Sequence, residues 1–129
     1  MSEIAMILDA DAILAYTKHT SQVAKKISLV ADDQLRVMLP ALCLAEAYRR
    51  VDGDGWYYLE VLTNHPVTVV GPVDAELCPI LGGWSRTLGR LDLAHAALEA
   101  AAHPSADLMT SERALVTTML PNERQIVDV

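Results

Sequence analysis

The chain has 129 residues, is 52% hydrophobic and carries a formal net charge of −7. That length suits one domain with a full core. The acidic balance excludes broad electrostatic capture of nucleic acid, which depends on basic surface to displace phosphate counterions. Any nucleic-acid role must borrow positive charge from cations or a partner. The N-terminal apolar run carries Asp9 and Asp11 and lacks a basic leader, and no stretch approaches the roughly 18 uncharged apolar residues of a membrane span. The expectation is a soluble, cytoplasmic chain with no membrane contact. Cys43 and Cys78 have no C-x-x-C spacing, which predicts free buried thiols of a reducing cytosol rather than a disulfide or a zinc site.

In chain order, residues 4–8 form an unbroken aliphatic run, the pattern of a strand buried on both faces of a parallel sheet. Helix formers follow over residues 10–16, with Asp9 or Asp11 as the natural N-cap. Ser21 can cap a second helix to about Ala31, with Val23, Ile27 and Val30 inward and Lys25 and Lys26 outward. Residues 35–39 read as a short strand, and Pro40 suits the first turn of a helix reaching about Val51. Asp52-Gly53-Asp54-Gly55 ends that helix. Residues 56–63 read as helix and 67–70 as a β-branched strand. A helix over 73–81 is expected to be interrupted by Gly82-Gly83. Then come an alanine-rich helix over 91–103, a strand over 107–110, a helix over 111–119 and a closing strand over 125–129. Helical spacers between short strands predict one α/β domain over residues 1–129, a short central parallel sheet with helices on both faces.

Four acids stand out against this frame. Asp9 ends the first strand, where open α/β sheets bind ligands. Glu46 is the one charge in two apolar turns of the third helix, where an unpaired carboxylate is costly. Asp92 opens the alanine-rich helix, and Glu112 follows the fourth strand. Each has a plainer explanation: an N-cap for Asp9, ion pairing of Glu46 with Arg49 or Arg50, and a helix-dipole role for Asp92. His95 and Glu99 form a polar stripe that reads as a solvated face, since no further ligand stands at a zinc-like spacing.

The order of these motifs over the whole chain resembles the PIN-domain ribonucleases that serve as toxins of VapBC toxin–antitoxin pairs. The matching features are a hydrophobic strand running into Asp9, Glu46 within the helix after the second strand, Leu91-Asp92 opening an alanine-rich helix, and Leu108-Met109-Thr110-Ser111-Glu112. The family usually shows Thr-x-Asp at the last of these, so Glu112 is one methylene longer, and Ala10 stands where a hydroxyl residue is common. The resemblance implies a PIN-like domain and magnesium- or manganese-dependent hydrolysis of RNA. Asp9, Glu46, Asp92 and Glu112 would be the metal-binding acids, with Thr110 orienting a carboxylate or the scissile phosphate and Asp11 capping a helix or widening the pocket. It also implies a homodimer and an antitoxin partner. Clustered carboxylates are stable together only with a cation, and an oxygen-only set suits those two metals. Arg49, Arg50, Arg86, Arg90 and Arg113 are candidate phosphate contacts.

Two other functions compete with that reading. Leu8-Asp9-Ala10-Asp11 is similar to the D-x-D opening of haloacid-dehalogenase-type phosphatases, although the later Lys and acidic pair are missing. A non-catalytic PIN-fold binding module is the other. For that, Trp56, Tyr57 and Tyr58 with Leu59 and Leu62 would form an aromatic contact surface or, on the plainer reading, core.

Overall fold

The computed structural model describes residues 3–18, 22–121 and 124–129. Five strands, β1 (Ile4–Leu8), β2 (Arg36–Pro40), β3 (Thr68–Gly71), β4 (Asp107–Thr110) and β5 (Ile126–Asp128), form one sheet in the order β3-β2-β1-β4-β5, every pair parallel. Met6, Ile7 and Leu8 are all buried, and successive side chains of a strand point to opposite faces, so both faces of the central strand are covered. The α/β architecture expected from the alternating pattern is the one observed.

The helices among the described residues are α1 (Ala10–Tyr16), α2 (Gln22–Asp32), α3 (Ala41–Arg50), α4 (Gly55–Thr63), α5 (Leu77–Leu88), α6 (Leu91–Ala102) and α7 (Arg113–Val116). α2 buries Val23 and Ile27 as its spacing predicts, while the expected Ser21 cap lies outside the described residues. Pro40 ends β2 rather than opening α3. The helix predicted over 73–81 instead starts at Leu77 and runs straight through Gly82-Gly83. Two glycines cost a helix about 1 kcal/mol each. The stripe Leu77, Leu81, Trp84 and Leu88 continues across them and packs on the core, which outweighs that loss. Gly89 in the left-handed conformation (φ 82°) closes the helix. The helix expected over 111–119 is a single turn, α7, flanked by turns that the helix periodicity of its apolar residues does not distinguish.

The sheet order fixes where the carboxyl ends matter. From β1 the chain builds outward through β2 and β3, then returns to add β4 and β5 on β1's other side. The direction of winding reverses between β1 and β4, and it is outside the carboxyl ends of such a pair that open α/β sheets form a crevice. Asp9 follows β1 directly, and Thr110 ends β4.

Candidate functional site

Asp9 is 1% exposed and caps α1: its Oδ1 accepts from the Ala12 N–H at 2.8 Å, and its own N–H donates to the Met109 carbonyl at 3.1 Å. The N-cap reading is therefore correct for one oxygen. The other, Oδ2, is buried without a hydrogen-bond partner. Burial pushes the Asp9 carboxyl up to about 6, and the negative charge of Asp11 adds to this, while the Thr110 hydroxyl, the Ala12 N–H and Arg90 work against it. Holding the group charged at neutral pH costs about 3 kcal/mol at ~1.4 kcal/mol per pH unit. The Thr110 hydroxyl, wholly buried, accepts from the Glu112 N–H at 2.9 Å and so braces the turn after β4.

The other acids are satisfied. Glu46 sits on the second turn of α3, partly exposed, and takes both arginines that follow it: Arg49 Nε at 2.9 Å and Nη2 at 2.5 Å, and Arg50 Nε at 3.1 Å. The Arg49 hydrogen bonds hold its carboxyl below the usual range against a small opposing effect of burial. Ion pairing, the plainer explanation for Glu46, is what the structure contains. Asp92, buried in the first turn of α6, receives Arg90 in a bidentate pair, Nε at 3.1 Å and Nη2 at 2.6 Å. Burial raises the Asp11 carboxyl, but the Ser111 hydroxyl and Arg50, 2.9 Å away, more than reverse this, so its pKa is lowered. Glu112 is more than a third exposed and 3.9 Å from Arg90 Nη1.

Arg90 ties these acids into one neighbourhood. It binds Asp92, lies beside Glu112 and stabilises the charged forms of Asp9, Asp11 and Glu46. The carboxylates of Asp92, Asp11 and Asp9 raise the Arg90 pKa above its usual value, the Asp92 hydrogen bonds most of all, against an opposing effect of burial. Asp9, Glu46 and Asp92 thus share the field of Arg90, while Glu46 and Asp92 each keep their own guanidinium partners. Among the described residues, no three His, Cys, Asp or Glu side chains stand close enough to hold a metal ion between them.

Three residues that the sequence reading left aside belong to this region. Cys43 on α3 is wholly buried, whereas Cys78, also expected to be buried, is exposed on α5; the Cys43 thiol donates to the Asp92 carbonyl at 3.0 Å, locking α3 to the start of α6. Burial and then the charges of Asp9 and Asp92 push its thiol well up, so it is an inert donor. His95 corrects an expectation: it does not lie on a solvated face but is 0% exposed, and its Nδ1 accepts from the Leu42 N–H at 3.3 Å. That N–H belongs to the first turn of α3, where Pro40 offers no side-chain cap, so His95 supplies the cap from a helix 53 residues away. Burial lowers its pKa and keeps it neutral. Glu99 is also largely buried, 3.9 Å from His95 Nε2. Ser111 is the third, through its bond to Asp11.

Two candidate phosphate contacts lie elsewhere. Arg113 pairs with Asp128 at 2.9 Å and with the Ile126 carbonyl, tying α7 to β5, and Arg86 is exposed on α5. The aromatic stretch divides: Leu59 and Leu62 are core, Trp56 and Tyr57 are more than half exposed, and Tyr58 is between.

Fold and site together define a parallel α/β domain with Asp9 and Thr110 at the carboxyl ends of the strands at its topological switch point. No family profile matches the chain, and no curated protein does.

Proposed function

We propose that this protein is a divalent-metal-dependent endoribonuclease, acting as the toxin of a toxin–antitoxin pair. The observation that carries this reading is the Asp9 carboxylate, buried at the carboxyl end of β1 with Oδ2 unpartnered, in the field of Asp11 and of the Arg90 that binds Asp92. Such a group is costly unless a cation joins it. The donors are all oxygen, and five carboxylates against Arg49, Arg50 and Arg90 leave negative charge in excess, which fits magnesium or manganese.

Asp9 would be the anchoring ligand, with Asp92 and Glu46 completing the set once Arg90 releases the first and Arg49 and Arg50 release the second, and Glu112 at the rim. When bound, the metal lowers the pKa of an attacking water and neutralises charge on the leaving oxygen. Water adds at phosphorus, and the bond from phosphorus to the leaving ribose oxygen breaks. Arg90 and Arg50, displaced from carboxylates, are placed to grip phosphate with the same planar fork. Thr110 favours the charged form of Asp9. A homodimer and an antitoxin presenting a cationic side chain to the acids are part of the reading, since guanidinium already lodges among them.

The phosphatase reading needs Asp11 as a proton donor, whereas Ser111 and Arg50 hold it ionised. No helix among the described residues is long and apolar enough to cross a membrane. The test is cleavage of RNA by the purified chain with magnesium or manganese, with chelator and Asp9→Asn each abolishing it. Cleavage undiminished in chelator, or no cleavage with either metal, rejects the proposal.

A further inference from the structure

The amino edge of the sheet, opposite Asp9, holds a second feature. A pocket of about 240 Å³ opens between the end of α2 and the turn before β3, where the chain enters β2 and β3. Its frame is fixed by backbone bonds. The Arg36 N–H donates to the Glu3 carbonyl at 2.9 Å and the Val37 N–H to the Val67 carbonyl at 3.0 Å, so the start of β2 is pinned to both neighbours. α2 ends in a Schellman closure: Gln34, left-handed at φ 60°, donates its N–H to the Ala31 carbonyl and Leu35 donates to that of Val30, both at 3.0 Å. Those bonds cover two of the last carbonyls of the helix, which left bare would repel an anion.

The chemistry of the lining is one-sided. In a chain with 17 acidic residues against 10 Lys and Arg, no carboxylate among the described residues lines this pocket. Arg36 and His65 do. Arg49, Arg50, Arg90 and Arg113 each hold a carboxylate. The Arg36 side chain holds none among the described residues, forms no hydrogen bond there, and has its Nε buried without a partner. That nitrogen has lost water without gaining an acceptor, a cost that an anion on the guanidinium would offset. His65 adds a donor: its Nδ1 accepts from the Val67 N–H at 3.1 Å, so the ring proton sits on Nε2. Leu35, Pro66 and Val67 make much of the remaining wall apolar.

We propose that this pocket binds a free short-chain monocarboxylate, with its carboxylate on the Arg36 guanidinium and its alkyl end against Leu35, Pro66 and Val67. Arg36 supplies one full positive charge, which balances one carboxylate, and the planar guanidinium matches a planar carboxylate group. A phosphate dianion would keep a charge uncompensated and has no apolar part to bury. The volume, below the roughly 300–1,000 Å³ of drug-sized sites, fits an acid of a few carbons. Because the pocket lies at the opposite sheet edge from Asp9, the proposal stands whether or not the chain cuts RNA.

The test titrates butyrate into the full chain in chelator, followed by backbone amide NMR, with butyramide as the uncharged control. The amides of residues 34–37, His65 and Val67 should shift saturably with butyrate and stay in place with butyramide. Arg36→Gln should weaken butyrate binding roughly ten- to a hundredfold, the range for loss of a charged hydrogen-bonding partner, at a melting temperature near the parent's. No saturable shift, equal shifts with butyramide, or parental binding by a folded Arg36→Gln overturns the site. Inorganic phosphate binding there more tightly than butyrate overturns the carboxylate assignment. Cleavage of RNA by the parent is read separately and bears only on the ribonuclease reading.

Discussion

The end of β1 and the two helices facing it hold acids in opposite conditions. Asp9 is buried with one oxygen bare and its pKa pushed up to about 6. Glu46 on α3 and Asp92 on α6 have every carboxylate oxygen engaged by guanidinium. The difference teaches that gathering acids at a sheet edge does not give them one role. Glu46 and Asp92 stabilise the fold as it stands, and Asp9 weakens it. Of the three, Asp9 alone carries an electrostatic cost in the fold, as the proposed catalytic role would require.

The largest expected effect breaks the comparison at its weak side. Asp9→Asn should lose most of the RNA-cleaving rate in magnesium, by a factor on the order of a hundred or more, because it removes the anchoring charge while keeping the cap to Ala12. Single-turnover cleavage of a labelled RNA measures it. Next is Asp92→Ala. Because Asp92 is buried and doubly hydrogen-bonded while Arg90 is a third exposed, this should cost about 1–2 kcal/mol of unfolding free energy in denaturant titration in chelator, and more in magnesium, where the variant also lacks a metal ligand. Arg90→Gln should sharpen the contrast from the other direction. With the internal cation gone, manganese should bind about tenfold tighter by calorimetry, since released carboxylates no longer have to be taken from a guanidinium. The smallest effect is at Glu46, whose partners are solvent-exposed: Glu46→Gln should cost about 0.5 kcal/mol, vanishing in high salt.

Most of the fold was legible because the apolar runs switch cleanly between strand and helix periods, and the core followed from them. The Gly82-Gly83 interruption failed because a local propensity was weighed without the stripe that continues through it. In the site, position was legible and condition was not. That Asp9 ends a buried strand follows from Ile4–Leu8 alone, and the Glu46–Arg50 pair follows from helical spacing. Arg90 on Asp92 does not: an N-cap residue two positions before its partner obeys no periodic rule, and its reach depends on its own extended backbone. His95 misled for a similar reason. A polar residue on an alanine-rich helix reads as solvated until the start of α3, uncapped by its own Pro40, is brought against it by the fold.

The claim on which the account turns is that Asp9 is a carboxylate buried ahead of its cation, and the pH dependence of stability in chelator tests it most directly. The folded-state pKa, about 6, lies above the ordinary 3.8, so the folded protein binds the extra proton. Stability from this group is fully present below about pH 4 and is lost as pH rises through about 6, by about 3 kcal/mol in all. Denaturant titrations of the parent and Asp9→Asn across that window, repeated with manganese, read it out. The account predicts that the variant lacks this decline and is the more stable protein above pH 7 in chelator, and that manganese restores the parent and not the variant. A variant that is less stable than the parent at every pH, beside a parent indifferent to manganese, would contradict it.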